Sequence, residues 1–492
     1  MNQIVVILPV LLPFVLAVLV QILPFSGKKT RNLFVFGAVT LNSLLVVAAI
    51  LLGGDRISLL HLVTQADIAF RVDGMAKVFA GLLAGLWPLA SLYAFEYMEH
   101  AKKQETFFAW YVCAYGAAVG IAFSANLVTM YLFYEALTLI TLPLIMHEGN
   151  QAAIGAGRKY LMYSVGGAAF GFMAVMILLS VAGTTEFAYG GYLPMMEGLT
   201  PDKIMLIRAG YVMAFMGFGV KTAVWPLHDW LPTAGVAPTP VTALLHAVAV
   251  VKAGVFALMR VTFFGFGTKI LDGSWAQYTV MAFVFFTIVF GSSRALKEQH
   301  FKRRLAYSTV ANLSYILLGV VMMTPEGLTA GLAHMLFHGV MKIVLFFAAG
   351  SVLENAHREY IFHMRGLGRK MPVTFGCFAF GSLALIGVPG MCGFVSKYLL
   401  AQAAVKNAHP FALVGLGALM ISAVLTAIYT VTVMITAFSP ISEHGESAME
   451  EAHEAGWRML LPMLLLCVAM VVLGLFSSPL IGYLAKVSAG LC

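Results

Sequence analysis

Apolar runs of about twenty residues, repeated along nearly the whole chain, are the constraint any fold of this sequence must meet. They can be drawn at 4–24, 32–53, 75–95, 107–123, 126–146, 160–183, 208–233, 240–264, 276–293, 304–323, 328–353, 372–405, 411–438 and 457–485. A helix rises about 1.5 Å per residue, so runs of this length match a hydrocarbon core roughly 30 Å thick. Backbone groups in lipid must be satisfied internally, which leaves helices or a closed barrel. A barrel would show short alternating segments, and the runs are continuous instead. With 61% hydrophobic and only 11% charged residues, the chain reads as an all-α polytopic membrane protein of about 14 transmembrane helices.

The loops give an orientation. Seventeen Lys and Arg fall in loops after odd-numbered runs or at the run ends flanking them, eight fall likewise on the other side, and the remaining five are Lys77, Lys221, Lys252, Lys342 and Lys397. By the positive-inside rule both termini are expected outside an inner (cytoplasmic) membrane. The first run has no Lys or Arg before it and no small-residue cleavage site behind it, so it is expected to be a retained helix. The net charge of +8 is mostly this topology signal and implies no nucleic-acid partner. Cys113, Cys377, Cys392, Cys467 and Cys492 are scattered without a CxxC pair. That spacing builds neither a zinc site nor an iron–sulfur cluster. With no Walker loop and no dinucleotide fingerprint either, no cofactor and no metal are expected, and the chain has no redox site of its own.

Two runs are interrupted in similar ways. The seventh reads GFGVKTAVWPLHDWLP, with Pro226 and Pro232 inside it, and the twelfth reads LALIGVPGMCGFVSKYLL, with Val388-Pro389-Gly390 at its middle. Proline removes a backbone hydrogen bond and clashes one turn back, so both helices should open. The breaks lie five runs apart, in spans of opposite direction, as an inverted repeat of about five helices requires. This divides the chain into 1–106 (three N-terminal helices), 107–264 (first repeat), 265–438 (second repeat) and 439–492 (an acidic loop and the last helix). The acidic stretch Glu443–Glu454, with His444 and His453, is either a solvated loop or a docking surface.

The ionisable residues inside the runs carry the function. A charge at mid-membrane costs about 2.5–3.5 kcal/mol on insertion scales. Lys221 lies about 13 residues into its run and Lys252 about 12 into the next, too deep to snorkel. Glu135, some nine residues into the fifth run, would protonate unless a cation stood near, and pairing with Lys221 is the economical arrangement. His334, His338 and Lys342 recur every four residues and so share one side of a helix over about 12 Å. They suit a proton path better than a metal, because imidazole exchanges protons near neutral pH. A hydrogen-bonded core stripe is the rival. Lys397 follows Pro389 by eight residues, nearer its helix end, where snorkelling is a stronger rival. For His228, Asp229 and His246, core or loop roles fit as well, and Lys77 reads as interfacial.

Four blocks, VKTAVWPLHDWLPTAGVAPTPVTALLHAVAVVKAGVFALMR, YLFYEALTL, HMLFHGVMKIVLFFAAGSV and GVPGMCGFVSKYLL, resemble the antiporter-like membrane subunits of respiratory complex I. Relatives of that family occur in multisubunit cation/proton antiporters and membrane-bound hydrogenases. The resemblance covers nearly the whole chain. It implies fourteen helices, two inverted five-helix bundles each holding half a channel, and a charged row across the membrane plane. Glu135, Lys221, Lys252 and Lys397 match the family's four key positions, with His334, His338 and Lys342 along the connecting axis. Lys397 stands where some members carry glutamate. No run follows the fourteenth, so the chain is similar to the shorter subunits and does not choose among the parent complexes.

The function expected is proton translocation within a multisubunit complex, coupled to redox chemistry in partner subunits. The expected partners are other membrane subunits, peripheral redox subunits and the bilayer. The first alternative is a subunit of a Na+/H+ antiporter driven by ion gradients. A scaffold that moves nothing is the alternative from another class.

Overall fold

The computed structural model describes residues 2–63, 66–191, 199–407, 409–440 and 452–491. It opens with α1 (Asn2–Ile22) and α2 (Lys28–Leu52), then an antiparallel hairpin of β1 (Ile57–Val63) and β2 (Ala66–Phe70). Next come α3 (Gly74–Tyr97), α4 (Gln104–Phe123), α5 (Leu127–Ile145), α6 (Gln151–Ala182), α7 (Pro201–Gly219) and the short α8 (Trp230–Thr233). The α9 (Thr239–Ala243) and α10 (Val250–Arg260) helices are parts of one rod, 239–266. It contains a π-helical stretch at Leu244–Val248 and ends in another at Val261–Phe266. After the short α11 (Thr268–Leu271) run α12 (Trp275–Lys297), α13 (Phe301–Val321) and α14 (Pro325–Ala356). The chain ends with α15 (Leu367–Lys370), α16 (Pro372–Ile386), α17 (Cys392–Lys406), α18 (Pro410–Phe438), α19 (Trp457–Leu475) and α20 (Ser478–Ser488).

Twelve stretches among the described residues are long and apolar enough to cross a membrane: α1 to α6, the rod 239–266, α12 to α14, α18 and α19. The rod, α13 and α14 are almost wholly buried, whereas α1, α6, α18 and α19 show most of their surface. The innermost helices are therefore the ones that carry Lys252, His334, His338 and Lys342.

Both expected breaks occur. The seventh opens after Gly219, and the twelfth between Ile386 and Cys392. The close junction of the fourth and fifth helices is real as well. Asn126 ends the interval, its side chain accepting from the Thr129 N–H as the cap of α5. Two features differ from expectation. The connection before α3 is a hairpin, held by Asp67, which accepts from Arg56 and Ser58 while its neighbourhood is fixed by Asn126. The last apolar run is divided at Phe476–Ser477 into α19 and α20, with Pro479 in the first turn of α20.

Most of the acidic stretch, 441–451, lies outside the described residues. Its end is not simply solvated. The Glu454 carboxylate accepts from the Val373 and Thr374 N–H groups and from the Thr374 hydroxyl, capping α16. Glu96 does the same for α19, accepting from the Gly456 and Arg458 N–H groups at 2.6 and 3.1 Å.

Two close approaches need glycine. A Cβ on Gly217 would stand 2.5 Å from the Gly171 nitrogen, so α7 can lie against α6 just before the break only without one. A Cβ on Gly393 would meet the Ala384 carbonyl oxygen at 1.9 Å, where the start of α17 overlaps the end of α16.

Candidate proton-transfer row

Lys221 follows the last turn of α7 and is fully buried. The helix cannot continue: Ala223 is left-handed (φ 56°) and Pro226 has no N–H. The freed groups are taken up by side chains. Trp230 Nε1 donates to the Val220 carbonyl at 2.8 Å, Thr222 donates to the Gly219 carbonyl at 2.8 Å, and the Trp225 N–H donates to Thr287 Oγ1 at 3.0 Å. The break is thus a built feature facing protein, as buried irregular backbone must be.

The Lys221 ammonium donates to the backbone carbonyl of Tyr134 and stands 3.2 Å from the centre of that ring. Tyr134 in turn donates its hydroxyl to the Phe218 carbonyl at 2.8 Å. The expected direct pair with Glu135 is absent from the ion pairs of the described residues. Successive side chains on a helix point about 100° apart, so the lysine that lies over Tyr134 misses the carboxylate next to it. Glu135 is half-buried, its Oε1 has no hydrogen-bond partner, and it remains within electrostatic reach of Lys221.

At the centre, Lys252 Nζ lies 2.5 Å from His338 Nδ1. One turn away, His334 Nδ1 meets Ser396 Oγ at 2.9 Å, and the two imidazoles are 5.8 Å apart. One turn the other way, Lys342 donates to the Leu305 carbonyl at 3.0 Å and to Ser308 Oγ at 2.8 Å. All four α14 and α10 side chains are 0% exposed. The fourfold spacing does what the sequence suggests, and each residue of the stripe turns to a different helix: His334 to α17, His338 to α10 and Lys342 to α13.

Lys397 does not snorkel. Its ammonium turns back to the carbonyls of Leu385 and Ile386, at 2.7 and 3.0 Å, and lies 5.3 Å from the centre of the Tyr315 ring. Those carbonyls are the ones freed where α16 stops, so the lysine caps the C-terminal, negative end of a half-helix.

Other weighed residues fall elsewhere. Asp229 pairs with Lys159, His228 packs edge-on to Phe290 at 4.7 Å, and Lys77 is half-buried in the first turn of α3. His246 joins the row. It sits in the first π-helical stretch, stacks on Phe346 at 4.7 Å, and leaves both ring nitrogens without a partner. Lys252, Lys302 and Lys342 are all within its electrostatic reach. Single-turn π-helix often marks functional sites.

Lys302 was hidden in the sequence by its neighbours Arg303 and Arg304, which make it look like an ordinary loop cation. It is 5% exposed and donates to the Ala237 carbonyl at 2.9 Å. It lines a cavity of about 400 Å³ together with Tyr97, Glu148, His300 and Glu359. A second cavity, of about 700 Å³, opens at the same end among Glu96, His100, Glu354, His357 and His453. Burial holds the His300 imidazole below its ordinary value, although Glu359 beside it acts in the other direction.

Comparisons with known proteins give the family and the fold. The sequence profile of the family described as NADH:quinone oxidoreductase/Mrp antiporter, TM matches residues 124–426, which include both breaks and every residue of the row. The chain is 30% identical over 423 residues to the NADH-quinone oxidoreductase subunit N of Desulforudis audaxviator, covering 83% of this chain and 82% of that one. It is 30% identical over 448 residues to the NAD(P)H-quinone oxidoreductase subunit 5 of Paulinella chromatophora, where it spans 65% of the relative's length. Its fold is similar to that of a chain of the membrane-bound sulfane sulfur reductase, an archaeal respiratory membrane complex. The TM-score is 0.84 over 100% of this chain and 97% of that one, at 23% identity. The chain belongs to the NADH:quinone oxidoreductase/Mrp antiporter transmembrane family.

Proposed function

We propose that this chain is a proton-translocating, antiporter-like subunit of a multisubunit membrane complex, driven by redox chemistry in partner subunits. One observation carries the reading: Lys221, Lys252 with His338, His334 and Lys342 form a row of buried ionisable groups that ends at the half-buried Lys397. Such groups are expensive in a membrane and are kept for moving charge. The two end lysines, Lys221 and Lys397, each sit at a broken helix, Lys397 donating to carbonyls freed at its own break and Lys221 to the Tyr134 carbonyl of α5. That likeness supports two inverted repeats, 107–264 and 265–438, and a count of fourteen spans once the interrupted stretches 201–233 and 372–406 are added. On the positive-inside rule both termini face outward, and the Lys302 and Glu354 cavities open inward, where protons enter.

The mechanism starts at Glu135. While its carboxylate is ionised, the charge on Lys221 is balanced. When a neighbouring subunit draws the carboxylate away or neutralises it, Lys221 keeps only the Tyr134 carbonyl and ring and passes its proton along the row. A unit charge about 6 Å away acts with about 3 kcal/mol at an effective dielectric of about 20. Moving one charge against 100 mV costs about 2.3 kcal/mol, so the loss of one partner suffices. The proton passes Lys252 and the His334–His338–Lys342 stripe, and leaves by Lys397 on the outer side.

Lys221→Met tests this. Proton translocation by the assembled complex, read with a pH-sensitive dye in proteoliposomes, should vanish while the subunits still co-purify. Normal pumping by an assembled variant overturns the reading. The family's Mrp side supports a second reading, a Na+/H+ antiporter subunit without a redox partner. Sodium-dependent proton movement in vesicles lacking any electron donor would favour it. Scaffolding alone predicts that lysine substitutions leave all transport intact.

A further inference from the structure

A second hydrogen-bonded line leaves the row at Lys342. The ammonium can only donate, so the 2.8 Å contact with Ser308 Oγ runs from lysine to serine. The Tyr429 hydroxyl donates to Thr426 Oγ1 at 3.2 Å and lies 2.6 Å from Ser308 Oγ. Its one proton is engaged with Thr426, so it accepts from Ser308. Thr426 donates to the Ser422 carbonyl at 2.8 Å, and the Tyr315 hydroxyl lies beside it. Tyr315 donates to Ser422 Oγ at 2.6 Å. None of these side chains is more than 1% exposed. All the bonds from Lys342 to Thr426 point the same way, which polarises the line.

Its far end returns to the row. The Tyr315 ring lies 5.4 Å from His334 and 5.3 Å from the Lys397 ammonium. The line therefore runs from Lys342 to the neighbourhood of Lys397 while bypassing His334, with His338 still linking Lys252 to the stripe.

We propose that Ser308, Tyr429, Thr426 and Tyr315 form a second, hydroxyl-borne proton branch between Lys342 and Lys397, with Thr426 as its switch. This rests on the proton-transfer reading of the row. With Thr426 bonded to the Ser422 carbonyl the branch is closed, because that carbonyl passes nothing on. When Thr426 turns its O–H to the Tyr315 oxygen, the branch opens. Lys342 then gives a proton to Ser308, Ser308 its own to Tyr429, Tyr429 its own to Thr426, and Thr426 its own to Tyr315. Tyr315, released from Ser422, gives its proton to a single water admitted beside the half-buried Lys397, which hands one to that amine. Lys342 ends as an amine, Lys397 as an ammonium, and every hydroxyl is restored.

The alternative is plain interhelical glue between α13 and α18, which such hydroxyls also supply. Thr426→Val, which keeps the volume, and Tyr429→Phe separate the two in proteoliposomes holding the whole complex. On the branch reading each slows translocation about tenfold, the histidine route remaining. The double variant is no slower than the slower single one, and the solvent deuterium effect of Thr426→Val differs from that of the unsubstituted complex. Glue predicts losses that add, that follow the fraction assembled on native gels, and that leave the isotope effect unchanged. Unaltered translocation in both variants beside a dead Lys221→Met overturns the branch alone. Full translocation in Lys221→Met overturns the reading beneath it.

Discussion

Lys252 Nζ and His338 Nδ1 lie 2.5 Å apart with both side chains sealed from solvent. Of two nitrogens in hydrogen-bond contact, one donates and the other accepts. One must carry a lone pair, so a charged Lys252 requires a neutral His338 whose Nδ1 accepts and whose Nε2 holds the hydrogen. The contact is a lysine–imidazole hydrogen bond between two helices, α10 and α14.

That contact makes the first prediction. His338→Gln keeps an oxygen that can accept from Lys252 but cannot take up and release a proton near neutral pH. Translocation should fall about a hundredfold with little change in the thermal unfolding of the detergent-solubilised complex. His338→Phe should lose translocation too. It should also unfold at lower temperature, because an unpartnered buried donor costs about 1–3 kcal/mol, more when charged. Equal stability of the two variants would show that Lys252 does not depend on this acceptor.

Tyr134 and Glu135 are adjacent and should separate cleanly. Tyr134→Phe removes the hydroxyl bond to the Phe218 carbonyl, but leaves the ring and the backbone carbonyl that hold Lys221. It should cost about 1 kcal/mol of stability and leave the translocation rate within about twofold. Glu135→Gln keeps the shape and removes the charge. It should uncouple the row and lower translocation at least tenfold. Rates for both variants in the same vesicle assay decide it, and a Gln variant as fast as its parent would remove Glu135 from the mechanism.

Which residues were legible in the sequence follows from what each signal depends on. Lys221, Lys252 and Lys342 stood out because a charge inside an apolar run has few innocent explanations. The fourfold spacing of His334, His338 and Lys342 also survives any uncertainty in helix ends. The breaks were legible because proline acts on its own backbone. Side-chain direction was not legible: Lys221 within reach of Glu135 was foreseeable, but its seat on the Tyr134 carbonyl was not. Ser308, Thr426 and Tyr429 were invisible because hydroxyl residues are ordinary in membrane helices and gain meaning only as partners. The hairpin was missed because ISLLHLV lacks the polar alternation of a strand with one wet face.

On the far side of the bundle from the two cavities, Arg260 makes two contacts of 2.6 Å with Asp73 and is 1% exposed. Asp73 also caps α3. Burial pushes its carboxyl up, and the Arg260 guanidinium more than offsets this, leaving it below the ordinary value. A depressed carboxylate contributes stability that is present above its unfolded value of about 3.9 and lost as pH falls through the folded one. Asparagine caps as well as aspartate, so Asp73→Asn isolates the charge. The variant should be less stable by about 3–5 kcal/mol at neutral pH. Its deficit against the parent should shrink only in strong acid. A deficit that changes between pH 5 and pH 7 would point to a different titrating group.

Lys397 has two tasks that one substitution can divide. Its ammonium satisfies the Leu385 and Ile386 carbonyls left open where α16 ends, and in the proposed function, as the last lysine of the row, it also takes and releases a proton. Lys397→Gln retains N–H donors on a shorter arm without a charge. It should keep most of the stability and lose the translocation. Lys397→Met retains the length without donors, and should lose translocation and about 1–3 kcal/mol of stability, because buried carbonyls go unpaired. Lys397→Arg keeps charge and donors but holds its proton at any physiological pH. It should assemble and unfold like the parent while translocating almost nothing. The arginine variant is the sharpest of the three, because it preserves every static interaction of the lysine and removes only the exchange. If it pumps at the parental rate, Lys397 acts as a fixed charge, and the outlet of the row lies elsewhere.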